Sequence, residues 1–177
     1  ETLQSGFAHV SKQDSVARNF KLESLSQVSK PKIVDGMQLV LYPTVQLGDG
    51  SMANISWLQE LPDPVTKICW DNYASVSIAT AQKWKIKEGY MLSITVDGKN
   101  FDLPAHIQPG LHDDVVAVAV GYGRTAAGKV ANNIGVNAFA MANLVNNTVV
   151  FSGQAVSVKP TGKKYDLANP QGHHYLG

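Results

Sequence analysis

Val115-Val116-Ala117-Val118-Ala119-Val120, followed by Gly121, is the longest apolar run in the chain. It is apolar on both faces, which suits a strand buried in the middle of a sheet rather than one with a solvated side. It is far too short to span a bilayer. Upstream lie the polar triplet His112-Asp113-Asp114 and a Pro109-Gly110 turn, and downstream Gly121, Gly123 and Gly128 loosen the backbone. Before that turn, Tyr90 to Val96 and Phe101 to Ile107 read as a hairpin around Asp97-Gly98-Lys99-Asn100, where Asp-Gly favours a type I′ turn. Ala79 to Ile86 reads as a short helix with Ala79, Ala81, Trp84 and Ile86 inward, stopped at Lys87-Glu88-Gly89 by a left-handed Gly89. Val65-Thr66-Lys67-Ile68-Cys69-Trp70 reads as a short strand.

Further out the signals weaken. Met37, Leu39, Leu41 and Val45 alternate with Gln38, Val40, Tyr42 and Thr44, the mark of a partly buried strand. Lys129 to Ala138 leads into a short helix near Ala140–Val145. Thr148 to Val158 follows as a strand, with Val149, Phe151, Ala155 and Val158 expected to be buried. Residues 1–36 are polar and Ser/Lys-rich, with a weak helical pattern from Asp14 to Leu25 (Val16, Phe20 and Leu25 on one side), and read as an irregular or partly helical lead-in. From Lys159 onward, Pro160, Gly162, Pro170 and Gly172 mark a polar tail that frays or docks elsewhere. The expected organisation is a lead-in over 1–36, a mainly β domain with short helices over 37–158, and a tail over 159–177, with no internal repeat. No targeting signal is visible, and Glu1-Thr2-Leu3-Gln4 and Tyr175-Leu176-Gly177 read as the ends of a segment cut from something longer.

Composition narrows the function classes. Of 177 residues, 44% are hydrophobic and 16% charged, which excludes a disordered tail and a highly charged coiled coil. Fifteen basic residues face fourteen acidic ones for a net charge of +1, and only Arg18 and Arg124 are arginines. Nothing gathers these cations into a phosphate-tracking patch, so nucleic acid is not an expected partner. Cys69 is the single cysteine, which excludes an internal disulfide, a cysteine-rich zinc site and an iron–sulfur cluster held by this chain alone.

Several clusters have both a chemical and a structural reading. His112-Asp113-Asp114 sets paired carboxylates beside a histidine, suited to a divalent ion or acid–base work, or to a loop whose carboxylates accept backbone N–H groups. Gly121-Tyr122-Gly123-Arg124 suits anion binding, since glycines admit a phosphate to the backbone and arginine adds a fork. It equally suits a glycine-permitted bend, and it lacks the third glycine of a dinucleotide fingerprint. Trp57-Leu58-Gln59-Glu60-Leu61-Pro62-Asp63-Pro64 and Trp70-Asp71-Asn72-Tyr73 offer two indoles as a stacking wall for a flat ligand or a sugar, or as core anchors; burial is the reading taken. Cys69 reads as a buried, inert thiol. His173-His174 lacks a third spaced ligand for a metal.

In order along the chain, Asp49-Gly50-Ser51-Met52-Ala53-Asn54, Trp57 to Asp63, Trp70-Asp71-Asn72-Tyr73-Ala74, Gln108-Pro109-Gly110-Leu111-His112-Asp113-Asp114 and Gly121-Tyr122-Gly123-Arg124 resemble one family. It is the large, molybdopterin-oxidoreductase-like subunit of alternative complex III, within the DMSO-reductase superfamily. The resemblance covers roughly Leu39 to Asn137, and Gly135-Val136-Asn137-Ala138 resembles the Asn-bearing segment late in the molybdopterin-dinucleotide-binding domain. It implies a six-stranded double-psi β-barrel, with Trp70, Asp71, Asn72, His112, Asp113, Gly121, Gly123, Arg124 and Asn137 on the cofactor-facing loops. It implies no catalytic residue in this chain, because the metal ligand belongs to other domains. Family members of this kind look like molybdoproteins that have kept the fold and lost the cofactor. No cofactor is therefore expected here, with molybdopterin guanine dinucleotide the candidate if the ancestral site is retained. The implied partners are molybdopterin-like and iron–sulfur domains of the same polypeptide, a quinol-oxidising integral membrane subunit and cytochrome c subunits, at the periplasmic face of the bacterial inner membrane.

Overall fold

Burying an all-apolar strand requires a neighbour on each side, and the computed structural model supplies both. The structure describes residues 4, 6, 19–27, 34–145 and 147–171. In chain order the elements are β1 (Gln38–Tyr42), α1 (Ser56–Glu60), β2 (Ala74–Val76), α2 (Ile78–Trp84), β3 (Tyr90–Val96), β4 (Lys99–Ile107), β5 (Val115–Ala119) and α3 (Gly128–Ala131). Then come β6 (Asn143–Val145), β7 (Thr148–Val150), β8 (Ser152–Ala155) and β9 (Ser157–Lys164). Seven strands form one mixed sheet in the order β8-β1-β5-β2-β4-β3-β9, while β6 and β7 pair only with each other. β5 runs parallel to β1, with Gln38 opposite Val115, and antiparallel to β2, while β2 runs parallel to β4. The fold is mainly β with a few short helices.

The core forms where the inward positions of these strands meet. Leu39 and Leu41 of β1, Val116 and Val118 of β5, Leu92 and Ile94 of β3 and Leu103 of β4 are all nearly inaccessible. Burial of each such side chain contributes about 1.5–3 kcal/mol. The Asp97-Gly98 turn is tighter than the four residues expected, since Lys99 and Asn100 already pair with β3. Both turn residues have positive φ (47° and 76°), the signature of type I′.

Elsewhere the structure corrects the sequence reading. The helix α2 is capped by Ser77, whose Oγ accepts from the Thr80 N–H at 3.0 Å, and it ends at a left-handed Lys85 rather than at Gly89. Ala79 is exposed, and Thr80 with Ala81 takes the inward face. Val65 to Trp70 is not a strand. The Asp63 carboxylate accepts the N–H groups of Val65 and Thr66 at 2.9 and 2.8 Å and curls the chain into a turn, and Lys67 and Trp70 are left-handed. Trp57 is 80% exposed and Trp70 half-buried, so neither is a fully buried core anchor. The helix expected near Ala140–Val145 is a 3₁₀ turn at Ala138–Met141 followed by β6.

The single strand expected from Thr148 to Val158 is divided among β7, β8 and β9, which serve different neighbours, and Val149, Phe151 and Ala155 are exposed. The chain does not turn into a free tail at Lys159. It continues as β9 to Lys164 along β3, because an edge strand needs only a backbone partner and tolerates polar side chains.

By compactness the chain divides into Glu1–Pro31 and Lys32–Gly177. In the first unit the described residues include a 3₁₀ turn over Leu22–Gln27, with Phe20 and Leu25 exposed rather than forming a buried stripe. Val16, His173 and His174 lie outside the described residues. Among the described residues no helix is long and apolar enough to cross a membrane.

Candidate functional site

The loop leaving β5 lines one wall of a cleft. Val120 continues the strand register by donating to the Tyr42 carbonyl at 2.9 Å, and the chain then crosses the Asp49-Gly50 loop at Gly121. The crossing is so close that a Cβ on Gly50 would stand 2.6 Å from the Gly121 Cα, and both glycines have positive φ. Gly123 lies equally tight on the Val136–Asn137 backbone, with its N–H donating to the Ile134 carbonyl at 2.8 Å. Backbone crossing by itself requires glycine at these positions.

The cleft behind them has a volume of about 420 Å³ and is lined by Asp49, Tyr122, Thr125, Ala126 and Phe139 together with Gly121, Gly123, Arg124 and Asn137. An Nη2 hydrogen of Arg124 donates to the Gly50 carbonyl. Asp49 is the carboxylate that shares the cleft with Arg124. The Ser51 N–H, 2.9 Å from Oδ1, holds Asp49 below its ordinary pKa, and the guanidinium adds to the effect. Asn137 turns its carboxamide oxygen back to the Phe139 N–H at 3.2 Å, capping the 3₁₀ turn. Burial pushes the Tyr122 phenol up to about 12.

Asn72 stands behind this loop and is 1% exposed. Its Nδ2 donates to the carbonyls of Ala119 and Val136, both at 2.9 Å, and its Oδ1 accepts the Val136 N–H at 2.8 Å. Asn72 therefore ties the end of β5 to the Gly135-Val136 loop and has little capacity left for a ligand. Asp71, on a separate cavity of about 200 Å³, accepts the Tyr165 hydroxyl at 2.7 Å. That bond favours the protonated phenol and, with burial, pushes Tyr165 up to about 12. Trp70 donates its backbone N–H to the Gln59 carbonyl at 2.8 Å.

His112 and Asp113 lie at the opposite end of β5, roughly 17 Å away along a strand of this length. Asp113 accepts the Ser77 hydroxyl at 2.6 Å, and its carbonyl accepts the Thr80 hydroxyl at 2.6 Å, so it anchors the start of α2. The His112 Nδ1 accepts the Asp114 N–H at 3.2 Å. The structure thus gathers Gly121, Gly123, Arg124 and Asn137 into one cleft, sets Asp71 and Asn72 beside it and separates His112 and Asp113 from it. Tyr165 joins these sites with no sequence pattern that marks it, whereas Asp49 opens one of the resembling peptides and Tyr122 lies within another. Burial raises the pKa of the Cys69 thiol, and among the described residues no group of three or more His, Cys, Asp or Glu could hold a metal ion.

No protein-family profile matches the chain, and no curated protein matches it. Among solved structures it is similar to acetylene hydratase from Pelobacter acetylenicus, with a TM-score of 0.53 at 10% sequence identity. The match covers 71% of this chain and 18% of that one. At that identity the likeness concerns the fold: this β-rich domain resembles one part of a much longer enzyme.

Proposed function

We propose that the chain is the dinucleotide-binding-like barrel of a multidomain redox subunit, and that its role there is structural. Acetylene hydratase is a molybdopterin-type enzyme of the DMSO-reductase superfamily, the superfamily that the sequence also resembles. A mixed sheet with two parallel pairs, β1 with β5 and β2 with β4, suits the double-psi barrel that the resemblance implies. On this reading the chain packs beside iron–sulfur and molybdopterin-like domains of the same polypeptide. A quinol-oxidising membrane subunit and cytochrome c subunits complete the assembly at the periplasmic face, and the isolated chain has no turnover.

The observation that carries the structural role is where the cleft's polar groups are directed. A pyrophosphate needs free N–H donors and unmatched positive charge. Here the Gly123 N–H is bonded to Ile134, both N–H donors of Asn72 behind the loop are used, the Asn137 carboxamide oxygen caps its own turn, and Arg124 is bonded to Gly50 in a cleft that also holds Asp49. Arg124 does not turn to Asp113 or Asp114, the carboxylates nearest it in sequence, because they lie at the far end of β5. These engagements support a scaffold role over an anionic-dinucleotide site.

A thermal-shift series with guanosine diphosphate and pyrophosphate tests this. The expected result is no displacement of the midpoint. A saturable rise that Arg124→Ala removes overturns the structural reading in favour of a true molybdopterin-guanine-dinucleotide-binding domain of an active enzyme. Metal analysis of the longer protein gives the complementary result, with iron present and molybdenum absent on the proposed reading.

A further inference from the structure

From Val130 to Val158 the sequence has no Asp, Glu, Lys or Arg, although Lys129 and Lys159 flank it directly. This neutral stretch contains the β6–β7 ribbon, which is hydrogen-bonded to no strand of the main sheet. Its cross-strand pair Leu144 and Val149 is exposed (72% and 37%), while the pair Asn143 and Val150 on the other face is half-buried. A two-stranded ribbon is marginal in water unless a face is packed. Exposed strand edges normally carry charge or proline as protection, and this one has neither. Phe151, just beyond β7, stacks edge-on against Phe139 with centroids 6.3 Å apart, and Phe139 also lines the large cleft. Phe151, which directly follows β7, thus touches a residue of the cleft wall.

We infer that the β6–β7 ribbon is the seam by which this domain docks onto an uncharged, apolar face of a neighbouring domain in the same longer polypeptide. The inference rests on the reading of the chain as one domain of a larger subunit. The solved enzyme that shares its fold supplies the length for such a neighbour, since the match spans only 18% of it. The partner face is uncharged because the ribbon offers no counter-charge, and an ionic group desolvated against it would stay unpaired.

Amide hydrogen exchange across residues 143–145 and 147–150, compared between the 177-residue chain and the full-length subunit, tests the seam. Exchange is expected to be at least about tenfold slower in the full-length protein, because docking removes local opening. Leu144→Lys in the full-length protein is expected to restore the rate of the isolated chain, with Leu144→Thr as the milder variant should the lysine impair folding. Equal rates in the two wild-type proteins overturn the inference. Sedimentation of the 177-residue chain is expected to show a monomer, and a dimer that Leu144→Lys dissolves overturns it in favour of a second copy as occupant. The nucleotide series reports on the cleft and is blind to the ribbon, so failure of either reading is distinguishable.

Discussion

Replacing Asn72 by alanine removes three neutral hydrogen bonds from a site that is 1% exposed and leaves the Val136 N–H and two carbonyls without their partner. Each bond contributes about 0.5–1.5 kcal/mol, and a buried polar group left unpaired costs about 1–3 kcal/mol, so overlapping terms give a loss of about 2–4 kcal/mol. Equilibrium urea unfolding measures it. Asn72→Asp adds a directional control. The aspartate keeps an acceptor for Val136 but sets its second oxygen against the carbonyls of Ala119 and Val136, which the native Nδ2 meets at 2.9 Å. Burial and those carbonyls raise its folded pKa, so stability is fullest below the unfolded value of about 3.9 and falls as pH rises through the folded one. A loss under about 0.5 kcal/mol for Asn72→Ala, the range of surface changes, refutes the reasoning and returns the carboxamide to the pool of ligand contacts.

Gly50→Ala places a methyl group 2.6 Å from the Gly121 Cα at a φ of 93° and is expected to cost about 3 kcal/mol or more in urea unfolding; a near-neutral result would mean that the two loops do not cross so closely. Trp57→Ala, at a residue 80% exposed, is expected to change the same measurement by under about 0.5 kcal/mol, and a larger loss would place the indole in the core. Tyr122 and Tyr165 have folded pKa values near 12 against an ordinary 10.0, so their contribution to stability is intact below pH 10 and is lost between pH 10 and about 12. The urea midpoint should fall across that window, less steeply in Tyr165→Phe; a flat profile in the wild-type protein contradicts the assignment.

The parts of the fold legible in the sequence are those set by local chemistry. The run from Val115 has no polar face to show to water, and Asp97-Gly98 supplies two residues that accept positive φ, so a central strand and a hairpin follow from neighbours in sequence alone. Val65 to Trp70 misled because its apolar residues outweighed Asp63, whose single carboxylate oxygen reorganises the segment into a turn. β9 misled in the opposite sense: Lys159, Pro160, Lys163 and Lys164 look like solvent-facing chain, and only β3 makes them a strand. The site was half legible. Gly121, Gly123, Arg124 and Asn137 do converge, but the bonds of Asn72 reach 47 and 64 residues along the chain, and no local pattern reveals that its polar groups are already engaged. That His112 and Gly121 flank one strand at opposite ends was legible from their order along the chain, and it already separates them by the strand's length.

The place of β9 also sets a hazard during biosynthesis. β3 and β4 can pair as soon as Ile107 has been made, but the outer edge of β3 has no partner until Ser157–Lys164 is synthesised. For that interval the nascent chain presents an open row of backbone donors and acceptors beside Leu92 and Ile94, the kind of edge that recruits other unfinished chains. Once β9 arrives it covers that edge and leaves a new one studded with lysines and interrupted by Pro160, which has no N–H to offer. A chain terminated before Ser157 would keep the hazardous edge permanently, so the polar last strand is the segment that converts an aggregation-prone intermediate into a sheet with a guarded margin.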